Sequence, residues 1–499
     1  MELQFEQTAY DCLKPVISEV HYEEQTQEVR LPEHMPDIGK VLASWGQVLL
    51  RGKEWRRGGM TVSGGCQVWV MYEPEDGSET QTLESWVPFQ MRWDFPDTQK
   101  DGTIVADCLL RGVDARSVSA RKLMVRCGIC ANGQAWEPMR GEVYSPGKIG
   151  DDIQLLQRSY PIRVPREAGE KTFSMEEELT IPASAAGMEK ILRYEARPEL
   201  IDQKVMAGKV VFRGSLLGHI LYKGQDGQMK TWDYEIPFSQ YGDLERDYDQ
   251  EAEPKVMLCV TGLELEPGED HVIRLKAGLT GQYVIYDQSV IEVVEDAYGT
   301  RQEVRPLMGE LAVPTVLDQQ RETVHADVDA ELPAGQIVDV AFLAEHPGLR
   351  RGDGGVDMEI PGQFQVLYYD DEGKLQGETV RWDGKWSLPA DQNSTVKASV
   401  CLTGRPSASF AGNGVSLHAE VAVHAMTNAQ RGMEMVTGLE LGEEKILPAE
   451  RPSLVLQRAG EGQLWELAKT FGSTVEAIRK LNHLQDEPAA GQMLLIPVP

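Results

Sequence analysis

Cysteine is scarce in this chain, 7 among 499 residues. An odd, sparse set of thiols excludes a disulfide framework and suits a reducing compartment. Long apolar runs are missing as well: no stretch approaches the ~20 residues that a membrane span requires. The opening MELQFEQTAY carries Glu2 and Glu6 where a secretory signal carries Lys or Arg. The chain is therefore expected in the cytoplasm, with no membrane insertion. Basic residues are in deficit, 49 against 79 acidic, for a formal net charge of −30. Such a charge repels phosphate backbones, so nucleic acid is excluded as a partner. The signatures of catalysis are absent too: no G-x-S-x-G elbow, no H-E-x-x-H and no phosphate-binding loop. No catalytic residue, no metal ligand and no cofactor is assigned, and the chain is expected not to be an enzyme.

What the sequence does contain is an internal repeat. Lys40 to Tyr72, Lys190 to Tyr222 and Gln336 to Tyr368 each span the same 32 residues. Gly58, Gly208 and Gly354 share one offset inside that window, and Asp76-Gly77, Asp226-Gly227 and Glu372-Gly373 share another beyond it. Ahead of each tyrosine the apolar residues alternate, as in Val68, Val70 and Tyr72 or Phe364, Val366 and Tyr368. Period-two alternation ending in an acidic-Gly turn is a strand entering a hairpin. Many short strands with regular turn signals predict a mainly β chain of three tandem antiparallel domains, sandwich or barrel-like. The expected bounds are 1–140, 171–300 and 319–430, separated by linkers at 141–170, 301–318 and 431–452, with a last module at 453–499.

The repeat also weighs the tempting motifs. Cys127-Gly128-Ile129-Cys130 has the spacing of a redox pair or half a zinc site, but one repeat on the same positions are Ala277 and Thr280. Small strand residues are the better reading. Cys108, Cys259 and Cys401 recur at one strand position and read as packing. Nine dispersed histidines, among them His325, His346, His418 and His424, read as surface or satisfied strand residues. The recurrent Tyr72, Tyr222 and Tyr368 read as core rings with hydroxyls at the rim.

From Ser453 the period changes to about 3.6. Leu464, Leu467, Ala468 and Phe471 share one helical face that Gly472 ends, and Ser473 with Glu476 forms a capping box for a second helix bearing Val475, Ile478 and Leu481. Flanking LVLQ and MLLIP supply two strands. This βααβ pattern, carried by Leu464-Trp465, Ala468, Phe471-Gly472, Leu481-Asn482, Gly491-Gln492 and Leu495-Ile496-Pro497, resembles the LysM domain, which binds N-acetylglucosamine-containing glycans such as peptidoglycan. The resemblance implies a groove between Gly460-Glu461-Gly462-Gln463 and the loop after Asn482, with Trp465, Asn482, His483 and Gly491 beside it. Trp465 has two readings, sugar stacking or packing at the helix start. Where the family has Gly-Asp-Thr/Ser before Leu-Trp, this chain has Glu461-Gly462-Gln463, without the acid and hydroxyl.

Tandem β domains opening with VRLPEHMPDIGKVL and closing on this module resemble the SpoVID/SipL group of spore morphogenetic proteins from endospore-forming Firmicutes. That resemblance implies a non-enzymatic scaffold made in the mother cell, recruited to the forespore surface and needed for coat morphogenesis. The LysM module would dock to a SpoIVA-like coat protein, to peptidoglycan, or to both; homo-oligomerisation stays open. The alternatives are a general peptidoglycan-binding protein outside sporulation, or a cell-wall hydrolase with a LysM anchor. The hydrolase requires a buried carboxylate or histidine of strongly shifted pKa in a cleft of one β domain.

Overall fold

The computed structural model describes residues 2–498 except 97–100, 183–186, 269–271, 412–413, 447–449, 451 and 461–463. After a short β1 (Glu2–Gln4), the first repeat runs β2 (Glu6–Arg30), β3 (Ile38–Arg56), β4 (Gly59–Pro74), β5 (Gln81–Asp94), β6 (Thr103–Ser119) and β7 (Lys122–Ser145). The second runs β8 (Ile153–Thr180), β9 (Met188–Met206), β10 (Lys209–Gly224), β11 (Met229–Asp243), β12 (Glu253–Pro267) and β13 (Val272–Gly299). The third comprises β14 (Gln302–Ala330), β15 (Ala334–Ala344), β16 (Gly348–Gly352), β17 (Gly355–Asp370), β18 (Leu375–Pro389), β19 (Thr395–Ala411) and β20 (Gly414–Glu444). Here the equivalent of β3 is broken at Glu345-His346-Pro347, where proline cannot donate to the ladder.

Each repeat folds alike. Its middle strands form a meander, β3-β4-β5, β9-β10-β11, or β15 and β16 beside β17-β18. Its first and penultimate strands flank its last, giving β2-β7-β6, β8-β13-β12 and β14-β20-β19. The two sheets face each other as an antiparallel sandwich. The alternation read from the sequence supplies the inner faces: Val68, Val70, Met91 and Trp93 meet Leu123, Val125, Cys127 and Ile129 in the first core. Phe212, Leu216 and Ile220 meet Leu275, Ala277 and Leu279 in the second. Tyr72, Tyr222 and Tyr368 are buried, and the Tyr72 hydroxyl donates to the Pro36 carbonyl at the rim (3.0 Å). The acidic-Gly turns use glycine for its left-handed freedom, with φ of 71° at Gly77, 79° at Gly227 and 74° at Gly373.

The segments expected as linkers are largely strand. In every repeat the first and last strands run on past the sandwich as a two-stranded ribbon, Glu6–Pro15 with Trp136–Ser145 being the first. The ribbon begins at a one-residue bulge at the same repeat position each time: Pro15/Ile17, opposite Ile285/Tyr286, and Val316/Asp318. A bulge bends and twists its strand, which turns the ribbon out of the sandwich plane. Gly, Pro and charge, which mimic a linker in sequence, here mark that bend and the solvated ribbon edge. The three ribbons pack on one another through Cys12, Ile162, Val164, Ile291, Val293, Leu311, Val313, Met433 and Met435.

The sandwiches close into a head-to-tail ring. β3 packs on β12, β15 packs on β6, and Arg197 of β9 donates to the Leu402 and Gly404 carbonyls of β19. Lys53 secures the first joint, bonding the Gln282 amide oxygen (2.5 Å), the Ile104 carbonyl (2.8 Å) and Glu170 (2.6 Å). One operator thus repeats three times within one chain, the closure that cyclic oligomers reach with separate subunits.

Cys127 and Cys130 are both fully buried and free. Three residues apart on one strand, they point to opposite faces, so no redox pair or shared ligand position exists. Burial pushes the Cys130 thiol up to about 12. Iodoacetamide is expected to leave both unmodified in the folded chain and to label them in denaturant, as read by peptide mass mapping; native labelling of either would contradict this packing.

Candidate functional site

The C-terminal module comprises β21 (Leu454–Arg458), α1 (Leu464–Phe471), α2 (Val475–Asn482) and β22 (Met493–Pro497). The strands pair antiparallel beneath the helices, and Leu464, Ala468, Ile478, Leu494 and Ile496 fill the small core. Gly472 ends α1 at φ 65°, with the Ser473 N–H returning to the Ala468 carbonyl (2.9 Å), as expected of its position. The cap of α2 lies one residue later than the S-x-x-E reading placed it. Thr474 is the N-cap, its hydroxyl accepting from the Ala477 N–H at 3.1 Å. Ser473 is withdrawn from capping because it is buried against the second repeat.

That burial defines the seat of the module. Tyr298, near the end of β13, belongs to the module's core, and its hydroxyl donates to the Ser473 carbonyl at 2.8 Å. Burial, with Asp296 nearby, pushes the Tyr298 phenol up to about 12. The Trp465 ring meets Tyr298 edge-on at 4.8 Å, and its indole N–H donates to Asp296 Oδ2 at 2.8 Å. Lys469 reaches the same carboxylate oxygen at 2.6 Å. One face of α1 and the turn after it are thereby fixed to the tip of the second ribbon.

The expected groove residues fall into three groups. Glu461, Gly462 and Gln463 lie outside the described residues. Gly460 and Gly491 are brought near each other: the Gly491 N–H donates to the Ala459 carbonyl and the Ala459 N–H to the Gln492 carbonyl, both at 2.8 Å, which laces the residue before Gly460 to Gly491-Gln492. His483, the C-cap of α2, is exposed and holds the left-handed conformation at φ 55°. The remaining two serve the fold. Trp465 is engaged by Asp296 and Tyr298. Asn482 spends its amide on the backbone: Nδ2 donates to the Ile478 and Leu495 carbonyls (2.8 and 2.7 Å), and Oδ1 accepts from the Leu495 N–H (2.8 Å). Sequence reading missed the opposite surface of the module, where Leu454, Leu456, Met493 and Leu495 stand 40–59% exposed on the outer face of β21 and β22. The signal was present as apolar residues at both parities of two short strands over a small core.

A cleft of about 500 Å³ between the first two sandwiches is lined by Trp69, Glu84, Lys190 and Tyr194 among others. Beside it, Gln67 donates to Glu84 (2.6 Å) and to the Tyr194 hydroxyl (2.9 Å). Asp107 is the buried carboxylate raised by desolvation, against the opposing pull of His346 and Lys255. It faces His346 at 3.8 Å in the joint between the first and third sandwiches, and neither residue lines that cleft.

The molecule is thus a ring of three sandwiches that carries a seated βααβ module. Residues 187–267, from just before β9 through β12, match the SipL, SPOCS domain family model, and residues 462–497 match the LysM domain model. A SPOCS match followed by a LysM match agrees with a SpoVID/SipL-type, sporulation-related make-up, and the LysM match supports peptidoglycan binding. Both matched regions are binding modules. No curated protein and no solved structure matches the chain. Among the described residues, no helix is long and apolar enough to cross a membrane.

Proposed function

We propose that this chain is a non-enzymatic scaffold of the bacterial spore envelope, in which the ring of sandwiches holds a LysM module fixed at its ribbon tip for docking to peptidoglycan. The observation that carries the reading is the seat: α1 is held by Asp296 and Tyr298, and none of those contacts uses Gly460, Gly491 or His483. A module anchored on one face and open on another suits a scaffold that must present, rather than merely tether, its binding end. Weak contacts made by several modules of one chain gain strength through effective concentration.

A second target is favoured by the apolar sheet face. Leu454, Leu456, Met493 and Leu495 offer no donors or acceptors for sugar hydroxyls and suit a SpoIVA-like coat protein. Two variants of the full chain separate these targets. His483→Ala is expected to weaken co-sedimentation with purified peptidoglycan about tenfold while sparing retention by a SpoIVA-like protein. Leu456→Lys with Leu495→Lys is expected to do the reverse. Loss of neither interaction in either variant would remove docking by the module from this reading.

A further inference from the structure

Two of the histidines that the sequence scatters are brought together by strand pairing. On the outer face of β14-β20-β19, His325 lies directly opposite Glu420, and His418 directly opposite Asp327. Their neighbours Val324, Ala326, Leu417 and Ala419 turn inward to the core, which fixes the other parity outward. One ligand atom from each of His325, His418 and Glu420 lies within 4.8 Å of the others. Glu420 Oε1 stands 3.8 Å from His325 Nδ1 and 3.9 Å from His418 Nε2, and the imidazoles stack with centroids 5.9 Å apart.

An independent contact shapes this cluster for coordination. Asp327 Oδ1 sits 2.6 Å from His418 Nδ1, holding the proton on that nitrogen and leaving the Nε2 lone pair aimed toward Glu420. A carboxylate behind a ligating imidazole is the usual outer support of a histidine–metal bond. Thr403, paired with Glu420 on β19, adds a hydroxyl with no hydrogen-bond partner on the same face.

The repeat supplies an internal control. The pairs equivalent to His325–Glu420 and Asp327–His418 are Glu24–Gly128 and Thr26–Arg126 in the first sandwich. In the second they are Ser174–Gly278 and Glu176–Lys276. The fold therefore does not require two imidazoles and a carboxylate here. Among the described residues, no other three such side chains converge in this way.

We infer that His325, His418 and Glu420 form a binding site for a divalent first-row transition metal of the zinc and cobalt class. Two neutral imidazoles and one carboxylate suit such ions, and three protein ligands leave a coordination position open to solvent. The exposed ligands need to close by less than an ångström or so for bonds of ~2 Å, which surface side chains permit.

The test uses the full chain after EDTA treatment and gel filtration, titrated with Co²⁺ by visible absorption and with Zn²⁺ by calorimetry at pH 7.5. One equivalent with d–d bands is expected. His418→Ala and His325→Ala should each weaken binding on the order of 100-fold, and Asp327→Asn about 10-fold through the orientation of His418. Unchanged metal-free melting curves for these variants would show that folding is intact, as the other two sandwiches lead one to expect. Absence of binding by the parent chain, or undiminished binding by a His325→Ala/His418→Ala double variant, would overturn the assignment.

Discussion

Asp339→Ala is expected to destabilise the folded chain by about 3–5 kcal/mol, the cost of removing one partner from a buried ion pair. Asp339 on β15 is 5% exposed and accepts from Arg193 Nη1 at 2.9 Å, while His219 Nε2 lies 2.9 Å from its other oxygen. Arg193 is itself fully buried, over the Trp45 ring, so its charge would be left with Glu195 alone. Counted along the repeat, Ala43, Arg193 and Asp339 occupy the same position, opposite Met71, Leu221 and Leu367. One site of the repeat has thus become neutral, cationic and anionic in turn, which orders the three sandwiches within the ring. Because Ala already serves in the first repeat, Arg193→Ala/Asp339→Ala should cost clearly less than the sum of the single changes. Chemical denaturation measures this, and strict additivity would contradict coupling across the joint. Burial alone would raise the Asp339 carboxyl, but His219 and Arg193 outweigh it and hold the pKa at about 2. A carboxylate depressed on folding stabilises above its unfolded pKa of ~3.9, and that contribution is lost as the pH falls toward 2. The parent chain should therefore lose stability over that interval more steeply than the double variant.

Tyr298→Ala is the second large expectation. The side chain is 4% exposed, shares the module's core and bonds Ser473, so truncation opens a cavity just where the module is seated. A loss of about 3 kcal/mol is expected there, or on the order of a 100-fold fall in hydrogen-exchange protection of α1. The sandwich cores, remote from the change, should keep theirs. Trp465→Ala should act in the same direction and not add fully, because both residues stabilise one contact. Equal protection of α1 in parent and variants would mean that the module folds without its seat. The ion pair of Lys469 with Asp296 is partly solvated and contributes less.

The sandwiches were legible because a half-buried sheet imposes period two and its hairpins impose acidic-Gly turns, both visible at Val68, Val70, Tyr72 and Gly77. The module was legible because α1 and α2 each bury one stripe, and Gly472 must stop the first. What local pattern could not show is what distant strands do to one another. The bulges at Pro15/Ile17 and Val316/Asp318 look like breaks in periodicity, and periodicity breaks look like linkers. The roles of Trp465 and Asn482 depend on partners, Asp296 and the Leu495 backbone, that no spacing rule relates to them. The His325, His418 and Glu420 cluster depends on register, which a one-residue slip between β14 and β20 would erase.

The most direct test of the docking account is co-sedimentation of the full chain with purified peptidoglycan, compared with a chain ending at Glu444 that keeps all three sandwiches. The account expects the full chain in the pellet and the shortened chain in the supernatant. Equal pelleting of both would place glycan binding in the sandwiches and contradict a scaffold that docks through its C-terminal module.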